Sequence, residues 1–232
     1  MKNLLFVTVG TSVLDAPRRI AQRDPARKTA LDATAARVLD FKDAKGTDRQ
    51  AEADALFDPL MELHREFWRQ AKIPTDDRQR CRETSAELLT TYSLLLKLAQ
   101  ETTGANLVIL LVPQTPEAGL SGRILKALME SDPYRAHCSP PEVKIRTIPD
   151  IIEREAFESL PSILLRIVDH HRDSEGDRVI FNATAGFGVV LIVIGMLAMR
   201  YGFRVYYQNE RMTSPVVIQN LHVSWDAPWI LS

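Results

Sequence analysis

Cysteine is scarce in this chain. Of its 232 residues only Cys81 and Cys138 carry a thiol, and two such distant residues make neither a disulfide scaffold nor a metal-ligand set. Long apolar runs are missing as well: the most hydrophobic stretch, VVLIVIGMLAM at 189–199, is about half of the roughly 20 residues that a membrane span needs. It reads as a buried helix. Nor does either sign of charge prevail, because 29 Lys and Arg face 30 Asp and Glu, for a formal charge of -1. That balance excludes the broad basic field that holds proteins on long nucleic acid, while a small anion at one local site stays open. No charged n-region with a cleavable apolar segment opens the chain, so the expected compartment is a reducing cytoplasm.

What is present is ordinary globular material, 45% hydrophobic and 25% charged, read here as a single domain over residues 1–232. LLFVTV (4–9), NLVILLV (106–112), EVKIRTI (142–148) and DRVIFNA (177–183) are too continuously apolar for half-exposed strands and suit strands covered on both faces. Helical patterns separate them. SAELLTTYSLLLKLAQE (85–101) has Ser85 as N-cap, PEAGLSGRILKALMES (116–131) opens on Pro116, and 151–172 is amphipathic, with Pro161 expected to kink or divide it. The alternation predicts an α/β fold, a Rossmann-like doubly wound and mostly parallel sheet. After residue 202 three short strand-like segments follow without room for helices, which predicts hairpins or an antiparallel edge at the C-terminal end. Residues 15–80, rich in Ala, Arg and Asp, read as a helical insertion with a loosely held first half. The apolar helix near 189–199 has almost no polar face, which predicts burial continued across a dimer contact.

Two strands end in the same punctuation. The first stops at Gly10-Thr11-Ser12 and the fourth runs into Asn182-Ala183-Thr184-Ala185-Gly186-Phe187. In open parallel sheets ligands bind beyond the carboxyl ends of the strands, so both loops are expected on one rim. Small residues let a ligand approach the backbone, and the helix after Gly186 aims N–H groups and a positive dipole end there, which suits phosphate. The plainer reading is turn and cap chemistry, which favours the same residue types. Neither loop has the spacing of a dinucleotide fingerprint or a P-loop.

VGTS after the first strand, TSAELLTTYSLL (84–95), LLVPQTPEAGLSGRIL (110–125), FNATAGF (181–187) and YYQNE (206–210), in that order, resemble the CRISPR-associated Rossmann fold (CARF) proteins. The likeness is to the subgroup of stand-alone ring nucleases and sensor domains of type III CRISPR ancillary ribonucleases. It covers residues 1–14 and about 82–220. The resemblance implies a homodimer whose paired rims form one basin for cyclic oligoadenylate, foremost the four-membered ring. It also implies metal-independent cleavage without a cofactor, by attack of a ribose 2′-hydroxyl to leave a 2′,3′-cyclic phosphate. No membrane and no long nucleic acid enter this picture.

Carried over residue by residue, Gly10, Thr11 and Ser12 fall on the family's first loop and Asn182, Thr184, Gly186 and Phe187 on its second. Ser12 and Thr11 are the catalytic candidates, Ser12 contacting the scissile phosphate or orienting the attacking hydroxyl. Ala183, Ala185, Gln114, Thr115 and Arg211 complete the candidate ligand contacts. One departure bears on chemistry: Gly188 stands where many relatives have Lys. Arg211, Arg82 and Arg123 are candidate replacements, each read more readily as a solvated surface arginine. Glu87 reads as a helix N-terminal charge and nothing more, His170, His171 and His64 read as surface residues, and at most one of Tyr206 and Tyr207 faces the ligand. The reading that follows is a ring nuclease that ends type III CRISPR signalling. The alternative is a noncatalytic sensor or sponge acting through a partner; a mononucleotide enzyme outside CRISPR biology is a third possibility.

Overall fold

The computed structural model describes residues 2–44, 49–69, 77–101, 106–131, 142–150, 154–185, 188–208, 212 and 214–218. Its strands are β1 (Asn3–Thr8), β2 (Asn106–Pro113), β3 (Glu142–Ile148), β4 (Arg178–Asn182), β5 (Arg204–Tyr207) and β6 (Val216–Ile218). They form one sheet in the order β3-β2-β1-β4-β5-β6. β1 to β5 are parallel and β6 runs antiparallel to β5. The C-terminal expectation is thereby refined: β5 completes the parallel sheet and β6 alone reverses, while the segment 222–226 lies outside the described residues.

The continuous apolar runs follow from two-sided burial. Leu5, Val7 and Val9 face one core, covered by α5 (Ala86–Glu101), α6 (Pro116–Met129) and the insertion. Leu4 and Phe6 face the other, covered by α7 (Arg154–His171) and α8 (Gly188–Tyr201), where the rings of Phe6 and Phe181 stack at 5.1 Å. Helix α6 lies so close to β2 that a Cβ on Gly122 would sit 2.7 Å from Val112 Cγ2. A side chain there would force Val112 to shift. At the other end of the sheet, the Asp177 carboxylate accepts the N–H groups of Lys2 (2.7 Å), Asp173 (3.0 Å) and Ser174 (3.1 Å). These donors, that of Lys2 first, hold its pKa down to about 2.

Four expectations need correction. The first half of the insertion is packed: α1 (Ala16–Arg23) and α2 (Lys28–Asp43) bury Ile20, Leu31, Val38 and Phe41 ahead of α3 (Arg49–Arg69) and α4 (Asp77–Thr84). Pro161 does not divide α7, which continues through it; the carbonyl its missing N–H would have met belongs to the exposed Phe157. His64 is 0% exposed in α3, its pKa lowered to about 3 by burial and by the Arg19 guanidinium. His171 is buried too and accepts Arg146 Nε–H at 3.0 Å. The apolar helix α8, by contrast, buries Val190, Val193, Ile194 and Leu197 in keeping with its sequence and leaves Ile192 60% and Met196 46% exposed, so one of its faces has no cover among the described residues.

Candidate functional site

The strand order reverses between β1 and β4, whose neighbours β2 and β5 lie on opposite sides. Such a reversal leaves a crevice beyond the carboxyl ends of the strands, flanked by the two loops that leave them. After β1 the ladder makes one more bond, Val9 N–H to the Leu111 carbonyl at 3.0 Å. The chain then turns through Gly10 and Thr11 into a 3-10 turn, Ser12–Asp15. After β4 residues 183–185 lead towards α8, which begins at Gly188.

Both loops are tied to the first turns of one helix, α5. Glu87, 0% exposed, accepts the Gly10 N–H on Oε1 at 2.9 Å and the Ser12 hydroxyl on Oε2. Ser85 Oγ also donates to Oε2, at 3.1 Å. The Ser12 oxygen in turn accepts the Ala86 N–H at 3.1 Å. From the other loop, Thr184 Oγ1 donates to Thr90 Oγ1 at 2.9 Å, and Asn182 Nδ2 donates to Thr91 Oγ1 at 3.1 Å. Residues 87, 90 and 91 share one helical face by their spacing. One helix thereby sets the distance between two loops that are remote in sequence.

Further bonds leave little freedom. Arg19 donates to the carbonyls of Ser12 (2.6 Å), Thr84 (2.7 Å) and Glu83 (3.0 Å), fixing the start of the 3-10 turn against the end of α4. Thr8 Oγ1 donates to the Ala185 carbonyl, joining the end of β1 to the loop after β4 directly. Asn182 Oδ1 accepts the Thr184 N–H at 3.1 Å, and Thr184 Oγ1 accepts the Gln208 N–H at 3.1 Å, which draws the end of β5 into the same cluster.

Of the sequence-predicted residues, Gly10, Thr11, Ser12, Thr184 and Ala185 are brought together, each partly exposed. Asn182 and Ala183 are buried and contribute by holding the loop. Gln114 is exposed at the end of β2, whereas Thr115 caps α6 by accepting the Ala118 N–H at 3.2 Å. Glu117 is engaged by Arg49 of the insertion, and Lys42 reaches Asp15 at 2.6 Å, so the ends of α2 and α3 sit against this rim. Gly186, Phe187 and Arg211 lie outside the described residues. Arg123 pairs with Asp54 at 2.7 Å and lies over the Phe57 ring, so the insertion holds it. Arg82 lies in the last turn of α4, its Nε buried without a hydrogen-bond partner among the described residues. Tyr206 is buried and Tyr207 partly exposed, which leaves Tyr207 as the one of the pair able to face a ligand. Sequence reasoning missed Glu87, Thr90, Thr91 and Arg19. The signal for Glu87 was a carboxylate in a first helical turn, which is common for dipole reasons alone.

The model of a CRISPR-associated protein family, Cas_APE2256, matches residues 82–221, well over half of the chain. The chain belongs to the Cas_APE2256 family. A search of curated proteins returned no match. Membership makes this a CRISPR-associated protein, and its mostly parallel sheet is Rossmann-like. The Cas_APE2256 span contains α5 with Glu87, Thr90 and Thr91 and the whole loop after β4; the Gly10–Ser12 turn lies before it and is joined to it by Glu87. No helix among the described residues is long and apolar enough to cross a membrane.

Proposed function

We propose that two copies of this Cas_APE2256 protein pair their rims, bind cyclic oligoadenylate across the two-fold axis, foremost cyclic tetra-adenylate, and cleave it as a metal-independent ring nuclease. The observation that carries the proposal is the anchoring of both small-residue loops to one helix at the switch point of the sheet, in a chain of a CRISPR-associated family. Backbone N–H groups and hydroxyls there suit the sugar-phosphate parts of a nucleotide, and the start of α8 adds a positive dipole end. Pairing is supported by α8, which begins immediately after the loop and whose face bearing Ile192 and Met196 is exposed among the described residues, since burying neighbouring apolar side chains favours association. A ring of repeated adenylates presents equivalent groups to equivalent loops across a two-fold axis. Catalysis then requires alignment of a ribose 2′-hydroxyl with its neighbouring phosphate and stabilisation of the charge that develops, tasks of positioning and electrostatics. The products carry a 2′,3′-cyclic phosphate, and the type III CRISPR signal ends.

One observation favours a second reading. Gly188 opens α8 without a cation, at the position where the family resemblance implies Lys, and a site that binds the ring without cutting it acts as a sensor or sponge. Incubating the protein with labelled cyclic tetra-adenylate in EDTA and resolving the products separates the two. Linear products that disappear in Ser12→Ala support the nuclease; tight binding with an intact ring supports the sensor.

A further inference from the structure

The hydrogen bonds of Ser12 determine what it can offer a ligand. A serine hydroxyl has one proton and two acceptor lone pairs. Its proton is committed to Glu87 Oε2, and one lone pair accepts the Ala86 N–H at 3.1 Å. One lone pair remains, on a residue that is partly exposed. The Glu87 carboxyl receives three donors, Gly10 N–H, Ser12 Oγ–H and Ser85 Oγ–H, and the first of these, a backbone N–H, can only donate. All three bonds bring hydrogen to the carboxyl oxygens, and the complete burial of Glu87 keeps water from competing.

We infer that Ser12 presents the ligand with an acceptor, not a donor, and that Glu87 is the positioning residue that makes it so. The group on cyclic oligoadenylate that matches is a ribose 2′-hydroxyl; a phosphate oxygen, itself an acceptor, does not match. This inference rests on the proposed function and assigns one partner to Ser12 where the sequence left two. In the cleavage step the ribose O2′ forms a bond to phosphorus and gives its proton to Ser12 Oγ, while the original Ser12 proton moves to Glu87 Oε2. The P–O5′ bond breaks, and O5′ leaves with the electron pair and takes a proton from water. The hydroxide so formed recovers the proton from Glu87 through Ser12, so the pair returns unchanged. Glu87 touches no part of the ring and acts through Ser12.

The test compares cyclic tetra-adenylate with the same ring lacking all 2′-hydroxyls, titrated into the wild-type protein and into Glu87→Gln. Glutamine keeps the shape of the side chain but donates through its amide nitrogen to Ser12 and cannot take a proton. The wild type is expected to bind the ribose ring at least about tenfold more tightly than the deoxyribose ring, the loss expected when a site built for a hydroxyl meets none. In Glu87→Gln this preference falls to near unity while the ribose ring still binds, and cleavage drops about 100-fold or more. Glu87→Asp, which keeps the carboxylate, recovers part of the preference, and Ser12→Ala loses it; these two carry the test if thermal melting shows Glu87→Gln to be unfolded. Equal affinity of the wild type for both rings, or an unchanged preference in a folded Glu87→Gln, overturns the inference and leaves ring binding standing. Failure of the wild type to bind either ring removes the proposed function and this inference with it.

Discussion

Thr184, in the loop after β4, donates its hydroxyl to Thr90 of α5 at 2.9 Å, across 94 residues of chain. Thr90 passes its own proton to the Ala86 carbonyl at 3.1 Å, and the Ala86 N–H bonds to Ser12. The two loops of the candidate site are thus linked by hydrogen bonds that meet at the backbone of Ala86. Thr90→Val keeps the volume and removes the acceptor. It is expected to cost about 1 kcal/mol of stability and to weaken ring binding, measured by denaturant unfolding and calorimetry. Unchanged affinity would show that the loop keeps its place without this bond.

The insertion gives a second test. Arg49 covers the Glu117 carboxylate, lies over Phe41 at 5.5 Å and donates to the Phe41 carbonyl at 3.1 Å. Arg49→Ala is expected to destabilise the protein by about 1–2 kcal/mol, since the pair is largely shielded and one charge is left alone. It also bares a negative charge beside Gln114 and Thr115. Affinity for an anionic ring should fall in the single variant and recover in Arg49→Ala with Glu117→Ala.

His64 predicts an acid limb. Its folded pKa, near 3, lies below the ordinary value of 6.5, so between these values the unfolded chain binds a proton that the folded one does not. The stabilisation is complete above about pH 6.5 and is lost as pH falls towards 3, on the order of 4–5 kcal/mol across the window. Both ring nitrogens lack a partner among the described residues. His64→Met should therefore match or exceed the wild-type stability at pH 7 and lose less on acidification, read from thermal melts at stepped pH. Parallel pH profiles for the two proteins would contradict this.

The uncovered face of α8 predicts the assembly. Ile192→Glu with Met196→Glu should shift the protein from dimer to monomer in sedimentation equilibrium and weaken ring binding, with the melting behaviour of the fold retained. A wild type that sediments as a monomer with the ring bound would contradict the paired basin.

The sheet was legible because buried parallel strands are nearly continuous in apolar residues, as at NLVILLV, and because helical patterns such as the one opening on Pro116 separate them. The two site loops were legible as strand ends made of small polar residues. Their common anchor was not, for a physical reason: Glu87 and Ser12 lie 75 residues apart, and a long-range side-chain bond leaves no periodicity in the chain. The insertion hid its packing differently. Leu31, Val38 and Phe41 are spread thinly among Ala, Arg and Asp, so α2 shows little amphipathic contrast although those three side chains are buried. His64 escaped because a polar residue type on a charged helix gives no sign of burial.

Calorimetric titration of cyclic tetra-adenylate into the full chain, with EDTA present, addresses the paired-rim site most directly. The account predicts saturable binding with one ring for every two protein chains, abolished or greatly weakened when Gly10 and Thr184 are both replaced by bulkier residues. Absence of binding, or one ring for each chain with no dependence on those two positions, would contradict it.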